Sequence, residues 1–532
     1  MDAFTVQSPI HDCRSKHGAA RCWVTSRRWL LGLSLAIVCQ AAFAQAMYRI
    51  KPLGWLPGCQ SSTPEPMALN DADEVTGAAC VSPSTDHAFL WRNNGAPMVD
   101  LDPSEPDVES WGTALNSAGL VTGCGFRASG NRFAFVSPGD GASFRKIDGG
   151  SKITDLCANA INDLGQLTGS AVWTGTSAEH AFFYRNDGTP PIDLGTLGTN
   201  YLGASGSYGT AINASGQVAG TSTAVIGRMH AFVWKNDGKE MIDLGPFDGA
   251  DSFAVAIIAS GQVAGEITKA SSDFRHAFFW RGDGTPMLDL RTLSRGKSDV
   301  RGFNDSGWVT GNSWNPHDAQ GSGAYIWMND GMPMKNLDVL GGVPIASAGM
   351  NAAGQVTGAL LLADHTEHAA LWRNDGTKTQ DLNDLIDPTD PLKPYVTLTR
   401  GLFINSRGDV LAEGTDSQSP SFYFLLQGTV ITLKPRSLGF GNQPINTTSP
   451  AKSVTVTNTS PKAVAITSIA LSGSAPWQFA ITDNCGKSLA GHATCTINET
   501  FRPITKGAKS AFLKVNGGGG GLRSVTLTGS GT

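Results

Sequence analysis

The stretch HAFLWRNNGAPMVDL, His87 to Leu101, returns as HAFFYRNDGTPPIDL from His180, HAFVWKNDGKEMIDL from His230 and HAFFWRGDGTPMLDL from His276. With His368, five histidines stand at one phase of a repeat. Imidazoles bind metal ions and move protons near neutral pH, so such a set is a candidate ring of ligands or catalysts. The competing reading is structural. Alternation puts His87, Phe89 and Trp91 on one strand face, with Ala88 and Leu90 on the other. A strand covered on both faces would use all five in packing, and each histidine would bond a backbone group of an adjacent hairpin. Repeats two and six carry Phe133 and Gly323 at this phase and repeat eight is worn, which would break a ligand ring. A structural role is therefore expected for His87, His180, His230, His276 and His368.

The acidic turns, such as NDG at Asn186–Gly188, resemble fragments of calcium loops. A calcium loop needs several oxygen ligands in close register. Each turn here has one acid, often replaced by Ser or Ala, so turn chemistry is expected and no metal. No G-x-S-x-G, H-E-x-x-H or phosphate-binding glycine loop occurs in a suitable context. Glu109, Asp251, Glu266, Asp273 and Asp318 are the acids from which a glycosidase-type carboxylate pair would have to come. The expectation is a non-enzymatic protein without cofactor. The alternative is a secreted polysaccharide-acting enzyme, a glycoside hydrolase or lyase using those acids.

The elements that hold these residues follow from a second motif. ALNDADEVTG, ALNSAGLVTG, AINDLGQLTG, AINASGQVAG, AIIASGQVAG, GFNDSGWVTG, GMNAAGQVTG and FINSRGDVLAEG put a marker at Asn70, Asn116, Asn162, Asn213, Ile258, Asn304, Asn351 and Asn405. The steps are 46, 46, 51, 45, 46, 47 and 54 residues, the period of a propeller or solenoid. Each period holds four strand-like pieces: one ending at the marker, a QVAG piece, the HAF piece and an MIDL piece. N-x-x-G and N-D-G make tight hairpins, and the other two links are long and variable. The longest link should cross to the next blade, so the marker strand is innermost and MIDL outermost. The expected fold is all-β: an eight-bladed β-propeller of four-stranded blades, closed by either YRIKPLG (Tyr48–Gly54) or GTVITL (Gly428–Leu433). A solenoid fits the variable links less well.

These HAF…W…DLG and IN..G.V.G pieces resemble the HAF repeats of exported bacterial proteins, over about Tyr48 to Leu433. The resemblance implies an extracellular repeat protein and supplies no catalytic residues. From Lys434 the rhythm changes to that of an immunoglobulin-like β-sandwich. The segment, with its NC…L..G..C pair and LTGSG end, resembles the choice-of-anchor D and Hydin-like domain group.

Residues 1–44 read as a signal peptide: Arg27 and Arg28, the apolar run WLLGLSLAIVC, and a small-x-small site after Ala44. Residues before about Val24 read as an over-called start. The domains are then 1–44, 45–433 (repeats) and 434–532 (sandwich), in a secreted, periplasmic or surface-associated protein with no transmembrane segment after the signal. Six of nine cysteines follow the signal, an even number that suits disulfides in an exported chain. Cys485 and Cys495 are the best pair; Cys59, Cys80, Cys124 and Cys157 leave their pairing open. A net charge of −5 and the lack of basic runs argue against nucleic acid. Binding or scaffolding, with carbohydrate or protein as the cell-surface partner, falls to the face with variable links. Trp111, Trp173, Tyr201, Tyr208 and Trp314 are its candidate contacts.

Overall fold

The computed structural model describes residues 48–532 except 58, 60–62, 104–107, 139–143, 148, 177, 200–204, 225–226, 246–249, 270–271, 294–295, 316–322, 338–342, 375–377, 389, 419–421, 429–430, 436, 459–462, 474 and 518–520. The signal peptide and Tyr201 lie outside the described residues. Among those described there is no α-helix, and no helix long and apolar enough to cross a membrane.

Ten sheets form among the described residues, and eight come from the repeats. The fourth is representative. Ser207–Ile212, Val218–Thr223, Met229–Trp234 and Ile242–Asp243 pair antiparallel in sequence order. The sixth differs because its first strand is split into Lys297–Ser298 and Gly302–Phe303, both on Val309–Trp314. The last sheet takes Val396–Ile404, Val410–Asp416 and Tyr423–Gly428 from the end of the repeats and Tyr48–Pro52 from their beginning. Of the two closing candidates, the N-terminal strand therefore completes the eighth sheet. The GTVITL piece sends its strand Ile431–Lys434 to a C-terminal sheet instead.

Local chemistry explains the regularity. In the turn Asn213–Gly216, Asn213 Oδ1 accepts the amides of Ser215 and Gln217 at 3.0 Å each. Gly216 sits at φ 75°, where a Cβ is costly. The glycine of the second strand answers a different need. A bulge in the first strand, between Gly209 and Ala211, brings backbone so close that a Cβ on Gly220 would lie 2.1 Å from the Tyr208 carbonyl oxygen. The third strand is covered on both faces. Phe232 and Trp234 pack on Ala181 and Phe183 of the preceding repeat. Ala231 and Val233 pack on Phe278 and Trp280 of the following one. Burial between neighbours, not within one sheet, is thus the main hydrophobic term of the repeat region.

From Ile431 the chain forms the two remaining sheets. One orders Ile431–Lys434, Lys452–Asn458, Thr494–Phe501 and Phe479–Asp483; the other orders Ser437–Gln443, Gly521–Gly531, Gly507–Gly517, Val464–Ser472 and Ser488–Leu489. They share one core that includes Val454, Ile497, Phe501, Leu513, Val525 and Leu527.

Candidate functional site

Each HAF histidine meets the aspartate of its own fourth strand, thirteen residues on. Nδ1 lies 3.0 Å from a carboxylate oxygen in His87–Asp100, His180–Asp193, His230–Asp243 and His276–Asp289, and 2.6 Å in His368–Asp381. The partner is a carboxylate rather than the expected backbone group. Two pairings explain this: the third strand pairs with the short fourth strand, as Phe232 with Asp243, and the aspartate turns back to the histidine two residues earlier. The same carboxylates accept the amide two residues further on, as Gly245 N–H to Asp243 at 2.7 Å. Each dyad thereby pins a short outer strand of two or four residues, and each belongs to a separate sheet.

A serine six residues before the marker is a further recurrent group that the sequence reading missed. Ser252 Oγ accepts the Ala231 amide at 2.9 Å and donates to the Gly245 carbonyl at 2.9 Å. Ser207 and Ser298 repeat both bonds, and Ser110 repeats the first. Each buried hydroxyl ties the HAF strand of one repeat to the first strand of the next. Its fixed distance from the marker was the available signal.

The markers form a belt. Each marker Asn donates through Nδ2 to the carbonyl of the next marker: Asn70 to Asn116, Asn116 to Asn162, Asn162 to Asn213, and Asn213 to Ile258. Asn304 donates to Asn351, Asn351 to Asn405, and Asn405 back to Asn70 at 3.3 Å. Ile258, lacking a donor, leaves one gap. Asp163, Asp305 and Asp71, next to their markers, accept an amide from the preceding repeat. In the NDG turn, hydrogen bonds from the Thr189 hydroxyl and amide hold the Asp187 carboxyl below its ordinary range. The acidic turns are thus occupied by turn and inter-repeat bonding. Among the described residues no group of three or more His, Cys, Asp or Glu side chains could hold a metal ion.

The other ends of the sheets carry the candidate aromatics. Trp111 and Tyr208 are the second residues of first strands, at the end away from the marker. Trp173 and Trp314 end second strands, at that same end. They do not converge into one cluster. Trp111 contacts Phe126 with ring centroids 5.5 Å apart. Trp173 is partly buried, paired across the strands with Ile153 and packed against the core that includes Leu156 and Ala171. Tyr208 is 42% exposed, and Trp314 is 47% exposed with the Lys297 ammonium 4.6 Å from a ring centroid. Phe253, at the Tyr208 position one repeat later, lies under the Arg275 guanidinium at 4.5 Å. Of the acids on this face, Glu266 pairs with Arg275 at 3.1 Å and Asp251 with Arg228 at 4.0 Å. Asp318 lies outside the described residues.

Three disulfides are present among the described residues: Cys59–Cys80, Cys124–Cys157 and Cys485–Cys495. The second joins the second strand of one repeat to the first strand of the next.

No protein-family model and no curated protein matches the chain. Solved structures do. Dipeptidyl peptidase 4 of Porphyromonas gingivalis is similar at 9% identity and a TM-score of 0.44, over 70% of this chain and 60% of that one. The β-propeller domain of the trilobed protease from Pyrococcus furiosus is similar at 12% identity and a TM-score of 0.38, over 64% of this chain and 100% of that one. TolB from Acinetobacter baumannii is similar at 13% identity and a TM-score of 0.28, over 50% of this chain and 64% of that one. One of these structures is a β-propeller domain; the repeat region of this chain is eight mostly four-stranded antiparallel sheets. This chain spans 60% of the peptidase's length, and likeness at this level assigns it no activity. One expectation is nevertheless corrected. Peptidases stand among the similar structures, so a lack of catalytic motifs in the repeats does not support a non-enzymatic assignment.

Proposed function

We propose that the eight repeat sheets are the blades of a closed propeller of the HAF-repeat type, followed by an immunoglobulin-like domain. On this reading the protein is exported and binds another protein through the propeller face that carries the variable links. One observation carries the binding reading. The half-exposed rings of Tyr208 and Trp314 share the sheet end opposite the Asn belt with Trp111 and the Phe253–Arg275 pair, each on a sheet of its own. The belt end is consumed by repeat-to-repeat bonding. The rim end keeps large rings next to charged groups, the composition enriched at protein-binding hot spots. The three disulfides fit an oxidising compartment.

The test is selection of a displayed random peptide library on the intact protein. Selected peptides should lose at least tenfold affinity for a Trp111→Ala, Tyr208→Ala, Trp314→Ala variant. They should be unaffected by Met332→Ala, an exposed side chain in a hairpin of the opposite end. Peptides indifferent to the rim variant would place binding elsewhere.

A further inference from the structure

The repeat ring has one seam, where the sheet of the first repeat meets the sheet of the last without a repeat link between them. The sequence departs from its own pattern on both sides of that seam. Seven repeats have glycine three residues after the marker, with φ between 75° and 82°. The first repeat has Asp73 there, held at φ 62°. An aspartate in the left-handed region costs more than glycine, so its side chain must compensate. Two residues after the marker, the other repeats have Ala, Ser or Leu, and the last has Arg407. Four residues after the marker, the last repeat has Asp409, where four others have Gln.

These three departures meet. The Arg407 guanidinium contacts the Asp73 carboxylate and lies 3.0 Å from Asp409 Oδ2. Asp73 also accepts from Asn405 at 3.0 Å, Asn93 at 3.1 Å and Gln427 at 2.6 Å. Beyond Asp409 the line continues into the C-terminal sheets. Arg523, on Gly521–Gly531, reaches Asp409 Oδ2 at 3.2 Å and donates to the carbonyls of Gly428 and Ile431. Asp73 and Asp409 are fully buried. Four charges therefore alternate, Asp73–Arg407–Asp409–Arg523, across the first repeat, the last repeat and the C-terminal unit. A buried carboxylate that loses one of its cations is strongly penalised, so the members of such a chain depend on one another.

We infer that the C-terminal unit is the clasp of the repeat ring: Arg523 completes the charge chain that holds the seam shut. Asp409 links Arg407 at the seam to Arg523 on the C-terminal sheet. The carbonyls that Arg523 takes lie at and just beyond the end of Tyr423–Gly428, the strand on which Tyr48–Pro52 is hung. Loss of Arg523 leaves Asp409 with a single cation and loosens that strand pair.

The experiment is peptide-resolved hydrogen exchange on the full protein, comparing wild type with Arg523→Met and Asp73→Gly. Arg523→Met should speed exchange at least tenfold in Tyr48–Pro52 and Tyr423–Gly428 and leave the third to fifth repeats unchanged. Faster exchange confined to 431–532, or no change at the seam, would overturn the clasp. Asp73→Gly leaves the C-terminal unit untouched and restores the residue that seven repeats use, so it reads the seam even where Arg523→Met does not fold. The clasp requires faster seam exchange in this variant too. A purely local role for Asp73 gives unchanged or slower exchange, since the left-handed strain is relieved, and would also overturn it.

Discussion

Glu499 shows how a single side chain can set the pH response of the C-terminal unit. It points into the core between Ile497 and Phe501, is fully buried, and among the described residues no other residue donates to its carboxylate. Burial pushes its pKa up to about 7. The folded state therefore holds a proton that the unfolded chain releases near the ordinary glutamate value. Stability falls as pH rises from that value through about 7 and is flat above. The lost contribution is on the order of 1–3 kcal/mol. Glu499→Gln should remove this slope, so that denaturant midpoints at pH 5 and pH 8 come together. A variant that keeps the wild-type slope would show that another group is responsible. The histidines work differently. Their aspartate partners lie on short strands at the sheet edge, so the dyads fasten those edges.

The marker turn is the unit on which the repeats depend. Its backbone bonds persist in the fifth repeat without the asparagine, since the Ile258 amide still reaches the Gln262 carbonyl at 3.1 Å. What Ile258 cannot supply is the side-chain link to the next repeat and the acceptor for two turn amides. Asn213→Ala removes both from the fourth repeat, exposing the Ser215 and Gln217 amides to loss of their acceptor. It should cost about 2–4 kcal/mol in urea unfolding, four modest bonds with partly buried partners, the fourth from Asn213 Nδ2 to Gln217 Oε1. A change under about 0.5 kcal/mol would mean that the belt is decorative. The period, the strand order and the tight turns were legible because each repeat states them again. The histidine's partner was less legible, although its DL motif sits at constant distance: a two-residue strand has no periodicity to announce it. The serine bridges were overlooked because they occupy only half the repeats. The seam was illegible for a different reason. Asp73, Arg407 and Asp409 look like wear in the pattern until the ends of the chain are brought together. Arg523 lies more than a hundred residues from its partner, with no motif around it.

Closure of the ring rests on a strand from far away in sequence. Tyr48–Pro52 pairs with Tyr423–Gly428 along its full length. Its anchors are deep: Tyr48 and Ile50 are buried with Leu382, Leu385, Ile386 and Phe424. The Tyr48 hydroxyl donates to the Gly408 carbonyl at 3.1 Å, in the marker turn of the last repeat. Ile50 N–H is held by Asp390 at 2.9 Å. A chain starting at Leu53 should therefore be less stable than one starting at Gln45 by about 3–6 kcal/mol, from two large apolar side chains and an outer ladder. It should also self-associate, because Tyr423–Gly428 becomes a bare edge with apolar neighbours. Adding a peptide of sequence YRIKP, in excess, should restore the monomer by refilling that edge. Sedimentation of the truncated chain with and without peptide separates the outcomes. A truncated chain that stays monomeric with an unchanged unfolding midpoint would mean that the last sheet holds with three strands, and that closure is carried by the Asn405–Asn70 link and the seam charges alone.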